Sequence, residues 1–473
     1  MSAVLDAVAT VSMWVVLVAV VISIVSQVGL FASAVVELRR IRLRDRHQLW
    51  RRMLSSPLAP KITILVPAYN EELSIGEATT QLLSLTYPNL EVVVVNDGSR
   101  DDTMGQLQRT FSLSPVLPVF RKVVDTKPVR QLYRSPEDER LVVVDKDNGG
   151  KADALNAALN VASGDLVCAI DADTIVAPDA LQQMVAPFLS SRRTVAVGGT
   201  IRLVNNATWR MNRVDVLHAP RKPIVGAQAV EYARSFLVGR LAWNPIGGNI
   251  IISGAFGVFR RGALIDVGGY EHASIGEDME LIVRLRRAAY ERGEPAIVEF
   301  TPDPVAFTEA PESIRTLARQ RNRWFRGLLD VLVRHRRMML NPQYGTAGML
   351  SLPYFLVVEA LAPVMEIVGL LTLAVLVGGG WLPPDDLIPL AVAYLASIAA
   401  SYLVLILDDL VFSTYQSTRD RLLLSLHVLF EQLVFRPMTT VWRLWGLQLF
   451  LRGRTEWGAQ QRRGFTTPAH SAT

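Results

Sequence analysis

Apolar residues run almost unbroken from position 13 to about 36, and Arg39, Arg40, Arg42, Arg44, Arg46, Arg51 and Arg52 crowd the positions behind them. A run of that length crosses a ~30 Å hydrocarbon layer at ~1.5 Å per residue, which predicts a transmembrane helix over 12–37 and a basic linker over 38–59. The region before it carries Asp6 and no Lys or Arg, so a cleaved signal peptide is disfavoured despite the small residues Ala32-Ser33-Ala34. The arginines put the following chain in the cytosol by the positive-inside rule. Apolar character returns at 350–382, 387–411 and 422–451, predicting a C-terminal membrane domain over 349–451 and a basic tail over 452–473. Pro353, Glu359, Pro363 and Glu366 interrupt the first of these stretches, and Glu431, Arg436 and Pro437 the last. Such residues either line a polar path through the bundle, pair with one another or sit near the interfaces. The number of spans, and with it the side on which the tail ends, stays open.

Between 60 and 310 the period shortens. Apolar runs at 62–66, 91–95, 141–144 and 166–170 read as strands buried on both faces, with helical patterns at 71–85, 101–111 and 152–162 between them. This alternation predicts an α/β domain with a largely parallel, doubly wound sheet, whose ligand crevice lies at the carboxyl ends of its strands. The Pro-rich and basic insertion from Ser112 to Arg140 reads as a surface loop or a partner site. Positions 311–341, with many arginines beside Leu328, Leu329, Val331 and Leu332, read as amphipathic helices at a membrane surface.

Half of the 473 residues are hydrophobic and 20% are charged, and a mean hydropathy of +0.26 is too apolar for an ordinary soluble enzyme. The net charge of +5 would suit nucleic acid, but the arginines lie beside apolar segments rather than among aromatics on a soluble face, so no nucleic-acid partner is predicted. Cys168 is the single cysteine, which excludes an intrachain disulfide, and the six histidines show no zinc-ligand spacing.

Each predicted strand ends in polar residues. They are Pro67-Ala68-Tyr69-Asn70-Glu71-Glu72, Asn96-Asp97-Gly98-Ser99, the stretch from Asp145 to Asn148-Gly149-Gly150-Lys151, and Asp171-Ala172-Asp173. Turns alone favour Asp, Asn and Gly, but four such ends in succession point to a crevice. Gly149-Gly150-Lys151 is not a phosphate loop, because Ala152 stands where that motif needs Ser or Thr and the earlier glycine is missing. Asp171 and Asp173, on alternate positions past a buried strand, can turn toward one hard cation, Mg²⁺ or Mn²⁺. Further on, 253–259 reads as an apolar strand whose small residues, Ser253-Gly254-Ala255 among them, allow close backbone approach, and Glu277-Asp278 opens a helical pattern. A carboxylate there serves as a general base or as ordinary first-turn helix stabilisation. Trp324 offers a flat face for a sugar ring, and Arg323 a fork for pyrophosphate.

In this order Asp97, Asp171-x-Asp173, Glu277-Asp278 and Gln320-x-x-Arg323-Trp324 resemble the motifs of the processive β-glycosyltransferases of glycosyltransferase family 2, the cellulose, chitin, hyaluronan and poly-N-acetylglucosamine synthases. The resemblance covers nearly the whole chain and implies a cytosolic glycosyltransferase A (Rossmann-like) domain, over 60–310, set between the N-terminal span and the C-terminal membrane domain. It implies that Pro67, Tyr69, Glu72, Asp97 and Gly254 belong to the site of a UDP-sugar donor, with Lys151 near the diphosphate and Asp171 and Asp173 on the metal. Asp278, beside Glu277, would deprotonate the acceptor, and Gln320, Arg323 and Trp324 would form the acceptor and pyrophosphate end. The implied activity is inverting, processive addition of sugar, above all N-acetylglucosamine, to a growing β-linked polysaccharide that crosses the lipid bilayer. The implied setting is a multi-pass protein of the cell (inner) membrane, with room for an accessory export or regulatory subunit. Non-processive transfer of one sugar to a lipid-linked acceptor is the alternative, against which Gln320 and Trp324 argue.

Overall fold

The computed structural model describes residues 2–45, 49–210, 213–379 and 387–453; the predicted basic tail beyond 453 lies outside them. Two compact units emerge. An α/β unit is built from Asp45–Ile201 and Ile250–Thr308, and a helical unit from the N-terminal helix, Arg202–Asn249 and the chain from Glu309 onward.

The strands are β1 (Ile62–Ala68), β2 (Leu90–Asp97), β3 (Ser114–Val116), β4 (Val129–Arg134), β5 (Leu141–Lys146), β6 (Leu166–Ile170), β7 (Ile175–Val176), β8 (Thr194–Leu203), β9 (Ala207–Arg210), β10 (Arg213–Leu217), β11 (Phe256–Arg260) and β12 (Ile297–Thr308). One mixed sheet runs in the order β3-β4-β5-β2-β1-β6-β11-β8-β12-β7, and β9 and β10 form a separate hairpin. The four predicted strands are its parallel centre, β5-β2-β1-β6. They are Val- and Ile-rich because helices cover both faces of a parallel sheet. The flanks depart from the parallel expectation: β11 runs antiparallel to β6, and β4 antiparallel to β5. The insertion at 112–140 is likewise more than a loop, since β3 and β4 within it extend one sheet edge as an antiparallel pair.

Register positions the crevice. Ala68 lies beside Asn96, and Asn96 and Asp97 lie beside Asp145 and Lys146, so the carboxyl ends of β1, β2 and β5 open side by side. The helix predicted from 71 begins only at Ile75, because Asn70 takes a positive φ of 58° and the Glu71 amide donates to Thr103 Oγ1 at 2.8 Å. The strand predicted over 253–259 is β11, starting at Phe256; Ser253, Gly254 and Ala255 form a turn before it.

Among the described residues the helical unit contains two helices long and apolar enough to cross a membrane, Val21–Leu43 and Ala391–Phe412. A third candidate is the pair Ala347–Ala360 and Ala362–Gly378, bent by 41°, where Pro363 sits at the start of the second helix. The stretch 422–451 forms Thr418–Phe430 and Arg436–Leu451 joined by a wider turn, Glu431–Phe435, and is not among these candidates. Residues 202–249, expected within the catalytic domain, fold in this helical unit. Arg202 pairs there with Asp408, Gln228 donates to the Pro311 carbonyl at 2.9 Å, and His427 Nε2 meets the Pro220 carbonyl at 2.8 Å. Of the three readings for the bundle carboxylates, pairing is seen: Glu431 with Arg234 at 2.7 Å, Glu366 with Arg436 and Glu359 with Arg443, both at 3.7 Å.

Candidate active site

Gly150, at φ 87°, turns the chain so that Lys151 is the first residue of the helix Lys151–Val161. Its ammonium lies 2.6 Å from Asp171 Oδ1 and 3.7 Å from Glu277 Oε1, and donates to the Gly254 carbonyl at 3.1 Å. Burial disfavours this ammonium, but Asp171, Glu277 and Asp278 together outweigh burial and hold its pKa above the ordinary lysine value. Glu277 and Asp278 form the first turn of the helix Glu277–Glu291, where the helix dipole favours negative charge. Two backbone amides fix the Asp278 carboxylate: Gly254 N donates to Oδ2 at 3.1 Å and Met279 N to Oδ1 at 2.8 Å. Lys151, Gly254, Glu277 and Asp278 line a pocket together with Leu155, Ile252 and Tyr270. Gly254 lets the chain pass close there: a Cβ would stand 3.3 Å from Lys151 Nζ, which would have to give by a few tenths of an ångström, and 3.4 Å from Asp278.

Asp97 is not among the residues that line this pocket. It is 3% exposed, and its carboxylate accepts from Gly149 N at 3.0 Å, from Gly150 N at 2.7 Å and from Lys146 Nζ at 2.6 Å. The same ammonium, 0% exposed, is 2.5 Å from Asp153 Oδ1. Asp97 therefore holds the Gly149-Gly150 turn, and through it the start of the Lys151 helix. On the neighbouring loops, Glu72 accepts from Asp102 N at 3.0 Å and Asn70 Oδ1 from Arg100 N at 2.8 Å, which ties the ends of β1 and β2 together. Pro67 lies in β1 opposite Val95, and Tyr69 is 43% exposed at its end. Asp173 follows Asp171 in a turn closed by Thr174 N donating to the Asp171 carbonyl at 3.0 Å.

Among the described residues no three His, Cys, Asp or Glu side chains gather closely enough to hold a metal alone. Asp171 and Asp173 nonetheless suit Mg²⁺ or Mn²⁺, because such ions are commonly held by one or two carboxylates while substrate phosphates complete the shell.

Gln320, Arg323 and Trp324 lie in the helical unit, on the helix Ile314–Arg334. The arginines of this helix are not all surface groups as expected: Arg321 is 7% exposed, lies 2.7 Å from Glu231 and stacks over the Trp324 ring at 4.4 Å. Sequence reasoning missed Lys146, Asp153, Asn156 and Tyr270. A lysine closing the Val-rich run of β5 was the one visible signal among them.

Sheet order, the crevice at the strand ends and the carboxylate–lysine pocket define a glycosyltransferase A domain. The chain belongs to glycosyl transferase family group 2, whose model matches residues 166–436; the model of glycosyl transferase family 2 also matches, over 63–268. It is 29% identical over 275 residues to a poly-beta-1,6-N-acetyl-D-glucosamine synthase of Staphylococcus aureus, covering 58% of this chain and 56% of that protein. It is 28% identical over 270 residues to the probable glycosyltransferase YdaM of Bacillus subtilis, covering 57% and 55%. The chain thus spans about half the length of the curated relatives it matches. Among solved structures, a mannosyltransferase of Pyrobaculum calidifontis, in complex with GDP-Man and Mn²⁺, superposes over 92% of this chain and 99% of its own with a TM-score of 0.52 and 20% identity. That likeness shows a shared fold.

Proposed function

We propose that the pocket transfers a sugar from a nucleotide-diphosphate donor to a hydroxyl acceptor in one displacement with inversion, with Asp278 as the base. The observation that carries this reading is the meeting of the Lys151 ammonium with Asp171 and Glu277 around the Gly254 turn that also holds Asp278. Two backbone donors orient the Asp278 carboxylate and leave it lone pairs for the acceptor's proton. Lys151 faces the position of the leaving diphosphate, whose charge it partly neutralises. Three carboxylates and one ammonium leave the pocket negative, so a diphosphate needs a further cation. Asp171 and Asp173 would hold that Mg²⁺ or Mn²⁺, which when bound neutralises charge on the departing nucleotide.

The donor is UDP-N-acetylglucosamine and the acceptor a growing β-linked polysaccharide, a reading supported by the similarity to poly-beta-1,6-N-acetyl-D-glucosamine synthases. Tyr69, Glu72 and Pro67 border the nucleotide end, while Asp97 acts by positioning the Gly149-Gly150 turn. Gln320, Arg323 and Trp324 serve the acceptor. The candidate spans embed the chain as a multi-pass membrane protein with the catalytic domain, 60–310, in the cytosol.

The test gives membrane vesicles a panel of nucleotide sugars with Mg²⁺ or Mn²⁺, follows nucleotide release and digests the product with linkage-specific glycosidases. UDP-N-acetylglucosamine should yield long β-linked chains, and Asp278→Asn should abolish turnover. Products of one or two sugars would sink processivity in favour of transfer to a lipid-linked acceptor. Full activity of Asp278→Asn would sink the base assignment.

A further inference from the structure

One polar group in the pocket has no role in the chemistry so far. Tyr270 is 4% exposed and its hydroxyl has no hydrogen-bond partner among the described residues. A phenylalanine would fill the same space without leaving a buried donor unpaired, so packing does not account for the hydroxyl. The ring's place is well determined. Asn156, 1% exposed on the helix that begins with Lys151, accepts from Tyr270 N at 2.7 Å and donates to the Tyr270 carbonyl at 2.9 Å. Gly268 and Gly269, at φ 83° and 75°, bend the chain into that grip, and a Cβ on Gly269 would stand 2.3 Å from Asn156 Oδ1. Phe259 meets the ring edge-on at 6.5 Å between centroids.

Tyr270 thus lines a pocket whose other polar residues are Lys151, Ser253, Gly254, Glu277 and Asp278. Burial first, then the charges of Glu277, Cys168, Asp278 and Asp171, push its pKa far up, so the phenol stays protonated and acts as a donor. The charged groups around it are the Lys151 ammonium from the helix start, Asp171 from the end of β6, and Glu277 and Asp278 from the helix Glu277–Glu291. Below them the free interior takes about one water molecule.

We infer that the Tyr270 hydroxyl donates a hydrogen bond to a water held in this pocket, and that this water donates in turn to the Glu277–Asp278 carboxylates, making Tyr270 a positioning residue for the base. The bridge joins the segment carrying the base to the helix carrying Lys151, and it holds the carboxylate lone pair toward the incoming hydroxyl. A buried water has the two or more polar partners it requires here. The inference rests on the sugar-transfer reading of the pocket, in which the carboxylate acts as a base.

Tyr270→Phe tests it, in the full chain in lipid nanodiscs with UDP-N-acetylglucosamine as donor. The variant should melt at or above the wild-type temperature, keep the donor KM, and lose up to about tenfold in kcat, the upper worth of one net hydrogen bond to a water. An experimental structure without substrate should show a water within hydrogen-bond distance of Tyr270 Oη. An unchanged kcat, a vacant position beside the hydroxyl, or a lowered melting temperature with kcat and KM changing together would each overturn the inference. Failure of the transfer reading itself shows separately, as full turnover by Asp278→Asn. The bound water is read from the structure whichever sugar is used.

Discussion

Replacing Lys146 by methionine removes the one cation shared by two carboxylates that are 3% and 1% exposed, Asp97 and Asp153. The ammonium lies 2.6 Å from the first and 2.5 Å from the second. At an effective dielectric constant of ~20 each contact has a gross attraction of about 6 kcal/mol, most of which offsets the desolvation of the charges. Removing one partner of a buried pair costs about 3–5 kcal/mol net. The lower end applies here, because Asp97 keeps the Gly149 and Gly150 amides and Asp153 keeps the Lys127 amide at 3.0 Å. For a domain of this size about 3 kcal/mol lowers the melting temperature by about 6–12 °C. Thermal melting of the purified full chain in one detergent, followed by intrinsic fluorescence, gives the comparison. Adding Asp153→Asn to Lys146→Met restores the wild-type charge of the cluster, so the double variant should melt above the single one. A single variant within about 2 °C of wild type, or a double variant less stable than the single, would refute the account of this buried cluster.

Glu91 tests a carboxylate of the opposite kind. Burial works against its charge, but donors from Thr63 Oγ1, Ser163 N and Ser163 Oγ, with Lys61 nearby, overcome burial and hold its pKa below the ordinary value. Its folded pKa is depressed, so the stability it contributes is present above the unfolded value and is lost as pH falls through the folded one. Glu91→Gln should cost about 1–3 kcal/mol at neutral pH, and melting curves should converge with wild type as pH drops below about 4; a deficit independent of pH would contradict this. In the helical unit a Cβ on Gly226 would stand 2.1 Å from His427 Cδ2, a ring pinned against the Pro220 carbonyl. Gly226→Ala should therefore destabilise by about 1–3 kcal/mol, and His427→Ala in the same chain should recover part of the loss, which paired melting curves would reveal.

The parallel centre of the sheet was legible because buried strands show as unbroken Val and Ile runs, and their polar ends named the crevice residues. Lys151 and Asp171 were named this way, Glu277 and Asp278 from the start of a helical pattern, and the structure brings the four close together. Lys146, Asp153, Asn156 and Tyr270 were not found, since each takes its meaning from a partner distant in sequence and none lies in a spaced motif. Asp97 was found, but its burial beneath the glycine turn could not be read from its place at a strand end. The β3–β4 pair was hidden by Pro and basic residues that suppress alternation. Residues 202–249 carry apolar and charged residues much like those of the catalytic domain, and contacts distant in sequence, such as Arg202 and Arg234 with Asp408 and Glu431, show which unit they join.

The Gly149-Gly150 turn has a consequence for how this protein can change. Both of its amides already serve Asp97, so the turn cannot cradle a phosphate as the glycine loops of nucleotide hydrolases do. Restoring the missing hydroxyl with Ala152→Thr would not make it such a loop. On the proposed reading, the diphosphate is met instead by the Lys151 ammonium and a cation on Asp171 and Asp173, side chains that mutation can change one at a time while the hydrogen bonds of the turn stay closed.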